Sequence, residues 1–291
     1  AYVVFEDMGL GQFGNRIPQL RFEVVRNLGK EYSDTMESSV KGVCMLPGSG
    51  EFVYSTSLVS SYRGSSFKGE TTYDNKSTTD NLSDFLVSLN QLKVMLPAAK
   101  TVALVVGWYG NDLRCGSCTL RPGVESKARS TTPAWAVASY NRNTAYLVSS
   151  VGGKASFGGT PSDDSVRQAI LTLKSQGFRV VLYPFIFMDI PANNTLPDPY
   201  SNNASKIGQP AYPWRGRMTV SVAPGYTGSP DKTAAAATQI NSFFDNQYAP
   251  FIMHYANLAA SAGGVHAFLI GSEMVGLTSV RSSAGAGTYP F

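Results

Sequence analysis

Glu273 closes the apolar run His266-Ala267-Phe268-Leu269-Ile270-Gly271-Ser272. An apolar run this short, entered through Gly263-Gly264, predicts a buried strand of a parallel sheet. An acid placed where such a strand stops sits at the carboxyl edge, the edge on which parallel α/β sheets carry their chemistry. Glu273 is therefore the first candidate for acid/base work. The competing reading is a strand-end glutamate paired with an arginine such as Arg281. Asp189 follows a second apolar run, Phe178–Phe185, and either offers its carboxylate to a ligand or caps the loop that Pro191 begins. Trp108, Tyr109 and Trp214 fall at strand ends or in long loops on the same side. Rings there either meet a ligand face or serve ordinary loop packing. Arg215 and Arg217 flank the same loop and either position a ligand or form salt bridges within it.

Other reactive residue types point to less. Cys115 and Cys118 form C-x-x-C in a loop after a strand, with no helix start behind them and no histidine nearby. Two thiols are too few for a structural zinc site, so a local disulfide or two inert thiols is expected, and neither metal nor cofactor. His254 lies among Ile252, Met253, Tyr255 and Leu258, the setting of a helix-packing histidine, and His266 begins a strand at the end opposite the chemistry. Phe157-Gly158-Gly159-Thr160-Pro161-Ser162 is glycine-rich but has neither the lysine of a phosphate loop nor dinucleotide spacing. It reads as a tight loop before a capped helix.

The chain has 291 residues, 43% hydrophobic and 15% charged, enough for one large α/β domain or two small ones. Its net charge of +4 is spread along the sequence without a Lys/Arg block, which argues against a nucleic-acid footprint. No apolar run reaches the length of a membrane span. The start Ala1-Tyr2-Val3-Val4-Phe5 resembles the middle of a strand and has no leader signature, so a segment of a longer protein is expected.

The elements that must position these residues follow from periodicity. Residues 1–26 read as two strands around a Gly11–Asn15 turn. Residues 27–80 are polar and rich in Ser, Thr and Gly, a linker and entry to a larger domain, with Phe52–Ser55 as a first barrel strand. From 81 to 291, helix and strand alternate. Asn81 or Ser83 caps a helix with an apolar stripe through Phe85, Leu86, Leu89 and Leu92, followed by the strand Thr101–Trp108. Ser162 caps a helix that Gly177 stops, and Phe178–Phe185 is the next strand. An Ala-rich helix over 233–245 and another over about 250–262 lead to the strand that carries Glu273. Strand–helix alternation at this spacing predicts parallel strands, and four of them make at most the N-terminal half of an eight-stranded barrel.

With these segments placed, several strings resemble the TIM-barrel domain of the gene-transfer-agent and phage-tail "megatron" family, large baseplate hub proteins. They are Leu104–Arg114 (LVVGWYGNDLR), Arg121–Glu125 (RPGVE), Phe157–Ser162 (FGGTPS), Tyr183–Pro191 (YPFIFMDIP), Gly208–Arg217 (GQPAYPWRGR) and His254–Leu277. Residues 1–26, with Phe13–Pro18 (FGNRIP), are similar to the strand-rich hub part of the same proteins. That barrel is in turn similar to retaining glycoside hydrolases, whose acid/base glutamate ends strand 4. The resemblance implies a (β/α)8 TIM-barrel-type fold represented by strands 1–4 at 52–55, 101–108, 178–185 and 266–272, after a short β-rich hub segment. It implies Glu273 as acid/base, with Trp108, Tyr109, Asp189, Trp214 and Arg215 as glycan-binding residues. Retaining hydrolysis needs a second carboxyl about 5–5.5 Å away; in such enzymes it ends strand 7, which this chain does not contain, so the segment alone is expected not to turn over. The implied partners are other tail or baseplate proteins, a host envelope polysaccharide or peptidoglycan, and further copies of the chain in a trimer, all at the tail tip of a particle. The alternative is a barrel without activity that serves as a structural or receptor-binding module.

Overall fold

The computed structural model describes residues 35–47, 50–62, 72–78, 80–285 and 287–291. The strands expected in 1–26 lie outside these. The centre is a parallel sheet whose strands follow chain order: β1 (Gly42–Met45), β2 (Thr101–Gly110), β3 (Arg179–Met188) and β4 (Ala267–Phe268). β2 and β3 pair over ten residues, from Thr101 opposite Arg179 to Gly110 opposite Met188. Leu120–Arg121 adds a short antiparallel strand at the carboxyl end of β2.

Four helices cover the sheet: α1 (Asp84–Met95), α2 (Asp163–Ser175), α3 (Ala234–Phe243) and α4 (Ala249–Ser261). Ser83 and Ser162 cap α1 and α2 by accepting the N–H of Leu86 and Ser165, which satisfies donors the first turn leaves free. Gly177 stops α2 at φ +83°, a left-handed conformation that glycine takes without strain. The two expected helices at 233–245 and 250–262 are joined by a π turn at Phe244–Tyr248. Pro250 explains it, since a proline has no N–H to give to the preceding turn.

β3 alternates strictly. Val180, Leu182, Pro184, Ile186 and Met188 are buried on the helix side, and Val181, Tyr183, Phe185 and Phe187 are half-buried on the opposite face. The helix side carries the core, with Val166, Ala169, Ile170 and Leu173 of α2 and Phe251, Tyr255 and Ala259 of α4. Each of the Val, Ile, Leu and Phe side chains among them contributes about 1.5–3 kcal/mol on burial. Lys174 joins the two helices, its Nζ donating to the carbonyls of Ala262, Gly263 and Gly264 at the end of α4.

Two sequence expectations are corrected. The first parallel strand is Gly42–Met45; residues 51–54 form a turn. Phe52 and Tyr54 are buried because they pack onto the sheet, and the Tyr54 hydroxyl lies 2.8 Å from the Met45 carbonyl and 2.9 Å from that of Val105. β4 is shorter than 266–272, its ladder ending with the Leu269 N–H on the Leu182 carbonyl at 3.0 Å. Beyond that bond, side-chain groups take over the backbone of 270–272. Among the described residues β4 is the last strand of the sheet, and Leu269, Ile270, Met253, Val275 and Phe244 are exposed around it.

The turn at 51–54 is anchored by a buried ion pair. Glu51 accepts from both terminal nitrogens of Arg142, at 3.0 and 2.5 Å, and from the N–H of Glu125 at 3.0 Å. Removing one partner of such a pair leaves the other charge buried and alone. Arg142→Ala is expected to lower stability by about 3–5 kcal/mol in urea unfolding, and Arg142→Lys to recover little because an ammonium cannot reproduce the two-pronged contact.

Candidate functional site

The strings that carry the family resemblance lie far apart in sequence and meet at the carboxyl edge of the sheet. Gln209 links two of them, donating to Asp112 Oδ1 at 2.7 Å and accepting the Leu113 N–H at 2.8 Å. Thr160 ties two more, Arg121–Glu125 and its own Phe157–Ser162, to Leu104–Arg114. Its hydroxyl donates to the Gly107 carbonyl at 2.8 Å and accepts the Gly123 N–H at 3.0 Å, and its own N–H donates to Gly123. The Tyr212 N–H reaches the Ile190 carbonyl at 2.8 Å. These bonds return both long excursions, 111–161 and 189–233, onto the ends of β2 and β3.

Glu273 sits on this edge just past β4. Its backbone is left-handed, φ +58°, uncommon for a residue with a β-carbon. The segment leading to it is pinned on each side. Tyr248 of the π turn donates to the Ile270 carbonyl at 2.6 Å, and the Tyr183 hydroxyl lies 2.5 Å from Ser272 Oγ. On its far side, Gly276 brings the short helix Val275–Thr278 against the carbonyls of Gly216 and Met218, where a β-carbon has no room.

Arg215 organises the centre. Its side chain is 4% exposed, and its guanidinium stacks on Phe185 at 3.5 Å from the ring centroid. It donates to the Ser272 carbonyl at 3.2 Å and to Ser272 Oγ at 2.9 Å, and its Nη2 lies 3.2 Å from Glu273 Oε2. The indole Nε1 of Trp214 donates to the same oxygen at 2.6 Å. Gly216 makes that possible, since a β-carbon there would overlap the indole folded back over it. Trp214 is 50% exposed and the Glu273 side chain 51%, so a carboxylate and a large ring face solvent together. A cleft of about 850 Å³ opens beside the carboxylate, lined by Tyr248, Ile252, Met253, Ile270, Val275 and Phe291; among the described residues Glu273 is its only acid, and Trp214 is not part of its lining.

The structure thus brings Glu273, Trp214 and Arg215 together and separates the others. Arg281, the alternative partner of Glu273, instead holds Asp231 by its N–H at 2.8 Å and its guanidinium at 2.6 Å. Trp108 does not line the cleft, which corrects the sequence reading. It points to the helix side and is buried against Phe251, with Nε1 3.2 Å from the Tyr255 hydroxyl, because its neighbour Tyr109 occupies the other face of β2. Tyr109 is on the inner face but covered, stacked between Tyr146 and Phe187 and donating to the Gly158 carbonyl. Asp189 is 1% exposed and accepts from the N–H of Ser149 at 2.7 Å and its hydroxyl at 2.5 Å. Its carboxylate thus anchors the loop around Ser149 and not, as the capping reading had it, the loop that Pro191 begins. His254 is the helix-packing histidine, 2.9 Å from Asp163 at the start of α2.

Sequence reasoning missed Tyr183, Phe185 and Ser272 as the seat of Arg215, and Glu51 with Arg142 beneath the edge. The alternation of β3 was the available signal for Tyr183 and Phe185. Nothing local marks a salt bridge across ninety residues.

Cys115 and Cys118 are free thiols, so the disulfide reading is corrected to the inert one. They lie buried in a 3-10 turn, Cys115–Ser117 and its cap, and burial pushes the thiols up to about 12 and about 11. Among the described residues no group of His, Cys, Asp and Glu could hold a metal ion, and no helix is long and apolar enough to cross a membrane.

Comparison with known proteins bears on the C-terminal stretch. Residues 246–291 match the family model of the GTA (gene transfer agent) TIM-barrel-like domain. That stretch holds α4, β4, Glu273 and the short helix behind it. No curated protein matches the chain. Among solved structures, the chain is similar to one described as a complex of a GH113 beta-1,4-mannanase, with 16% identity, a TM-score of 0.34, and coverage of 66% of this chain. The chain spans 40% of that protein's length. The mixed α/β architecture, with its parallel sheet in chain order, is consistent with a TIM-barrel-like domain.

Two outcomes follow from this geometry. A thiol reagent should modify Cys44, which is exposed, and leave Cys115 and Cys118 unmodified until the protein is unfolded. The Asp231 and Asp198 carboxyls lie below their usual value. Burial alone would raise them, but hydrogen bonds and charge from Arg281 and from Lys206 and Tyr200 outweigh it. Groups depressed in this way stabilise the fold above their unfolded value and lose that contribution as pH falls through the folded one. Asp231→Asn is therefore expected to be less stable at neutral pH. Its urea midpoint should fall less steeply than the parent's below about pH 4.

Proposed function

We propose that this chain is the N-terminal part of a barrel that engages glycan of a host cell envelope as part of a gene-transfer-agent-like particle, with Glu273 as its acid/base. The observation that carries this reading is the site itself. A carboxylate at the carboxyl edge of a parallel sheet is fixed through Oε2 by a buried arginine and an indole N–H, beside a solvent-facing tryptophan. Glycoside hydrolysis requires a positioned carboxyl group that gives and takes a proton. Aromatic faces suit the C–H surface of a pyranose ring.

The exposed apolar residues around β4 support completion of the barrel by further strand–helix units on that edge, since parallel sheets are normally buried on both faces. In this reading the nucleophile arrives with those units. The protein sits in the tail tip beside other baseplate proteins, several copies surround the tail axis, and the barrel meets the envelope during attachment and genome delivery.

One observation favours a second reading. Among the described residues Glu273 is the only acid lining its cleft, and a retaining site needs another carboxyl about 5–5.5 Å away. A barrel lacking that partner would bind glycan and not cleave it.

Glu273→Gln in the full-length protein separates the two. Release of reducing ends from envelope glycan is expected to fall about 10²–10⁴-fold while particle assembly stays intact. Release at the parental rate would refute the acid/base assignment. Glycan binding without release in the parent protein would establish the second reading.

A further inference from the structure

A second cavity, of about 330 Å³, opens on the same sheet edge at the ends of β2 and β3. Its floor is aromatic, with Phe157 and Phe187 half-buried and Tyr109 covered behind them. The Tyr109 and Phe187 rings stack at 5.8 Å with their planes 26° apart, and Phe157 closes over them at 5.9 and 5.4 Å. Two glycines make the floor possible. A β-carbon on Gly107 would overlap the Phe187 ring, and one on Gly123 would overlap Tyr109.

The rim is polar. Ser156 Oγ lies 2.9 Å from the Tyr212 hydroxyl and 3.0 Å from that of Ser149, which in turn donates to Asp189. The Gly158 carbonyl accepts from Tyr109, whose hydroxyl burial and then the Asp189 charge keep protonated. The roof is fixed from behind, with the Gly159 N–H on Glu125 at 3.2 Å and the Glu125 N–H on the buried Glu51–Arg142 pair. An aromatic floor, a hydroxyl-bearing rim and a braced roof form a built site.

We propose that this cavity is a second saccharide subsite, seating one pyranose unit of an oligosaccharide that continues across the sheet edge to Trp214 and Glu273. The inference rests on the glycan reading above. The volume lies at the lower end of the range for ligand pockets, about 300–1,000 Å³, which suits a single sugar ring against the half-buried Phe157 and Phe187. From β2 to β4 is two interstrand spacings, roughly 10 Å, so a ligand filling both places is an oligosaccharide. The surface between them is continuous: Phe187 touches Phe185 at 4.8 Å, and Phe185 carries Arg215, which holds Glu273.

Titration calorimetry on the full-length protein tests this with two probes, chitotetraose and chitobiose. Phe157→Ala removes the covering ring, and Ser156→Ala removes a rim hydroxyl without disturbing the floor, so the second variant carries the test if the first unfolds. The tetramer should bind about tenfold more weakly to Phe157→Ala and measurably more weakly to Ser156→Ala, with the dimer unaffected by either. If both variants bind the tetramer like the parent while Trp214→Ala weakens it, the subsite is refuted and the glycan reading stands. If the parent protein binds neither probe, the glycan reading falls and the subsite with it.

Discussion

The ten-residue register between β2 and β3 is the constraint from which the site follows. Both strands run to the carboxyl edge and end side by side at Gly110 and Met188, and each then releases a long excursion. Backbone groups leaving a buried sheet must find partners, and here they find them in each other's loops. Thr160 closes the first excursion onto Gly107 and Gly123, and Gln209 closes the second onto Asp112 and Leu113. The loops are therefore braced by the strands they leave, and side chains mounted on them, Trp214 and Arg215 above all, hold fixed positions relative to β4.

Arg215 then converts a surface loop into a site. A buried guanidinium is costly unless its donors and charge are met. Phe185 supplies a face, Ser272 supplies two acceptors, and Glu273 supplies the negative charge. Because Arg215 cannot move without losing all of these, it fixes the left-handed turn at Glu273. Trp214 reaches the same carboxylate oxygen from the solvent side, so the position of the carboxylate is determined from two directions.

Much of this fold was legible in sequence because its signals were local. Continuous apolar runs marked β2 and β3, Ser83 and Ser162 marked helix starts, and Gly177 marked a stop. β1 was hidden because Gly42-Val43-Cys44-Met45 is short and half-exposed, whereas Phe52–Tyr54 is more apolar and is buried as a turn. Trp108 was misplaced by a single position on a strand of period two, where one residue decides between core and mouth. Glu273 and Trp214 were both read as site residues, but their contact depends on a loop of more than twenty residues returning to β4. No periodicity encodes that return; the hydrogen bonds of Gln209 and Tyr212 enforce it.

The chemistry available to Glu273 depends on what surrounds it, since a charge acts far more strongly in a dry site than in water. Half of its side chain faces solvent, and the cleft beside it is open along the β4 edge. The residues along that edge, Ile252, Met253, Ile270 and Val275, are apolar, so any element that buries them also removes water from the carboxylate. Covering the edge of the sheet and desolvating Glu273 are then one event. In this geometry the same contacts that would cover the sheet edge would also place the Glu273 carboxylate in a low-dielectric medium.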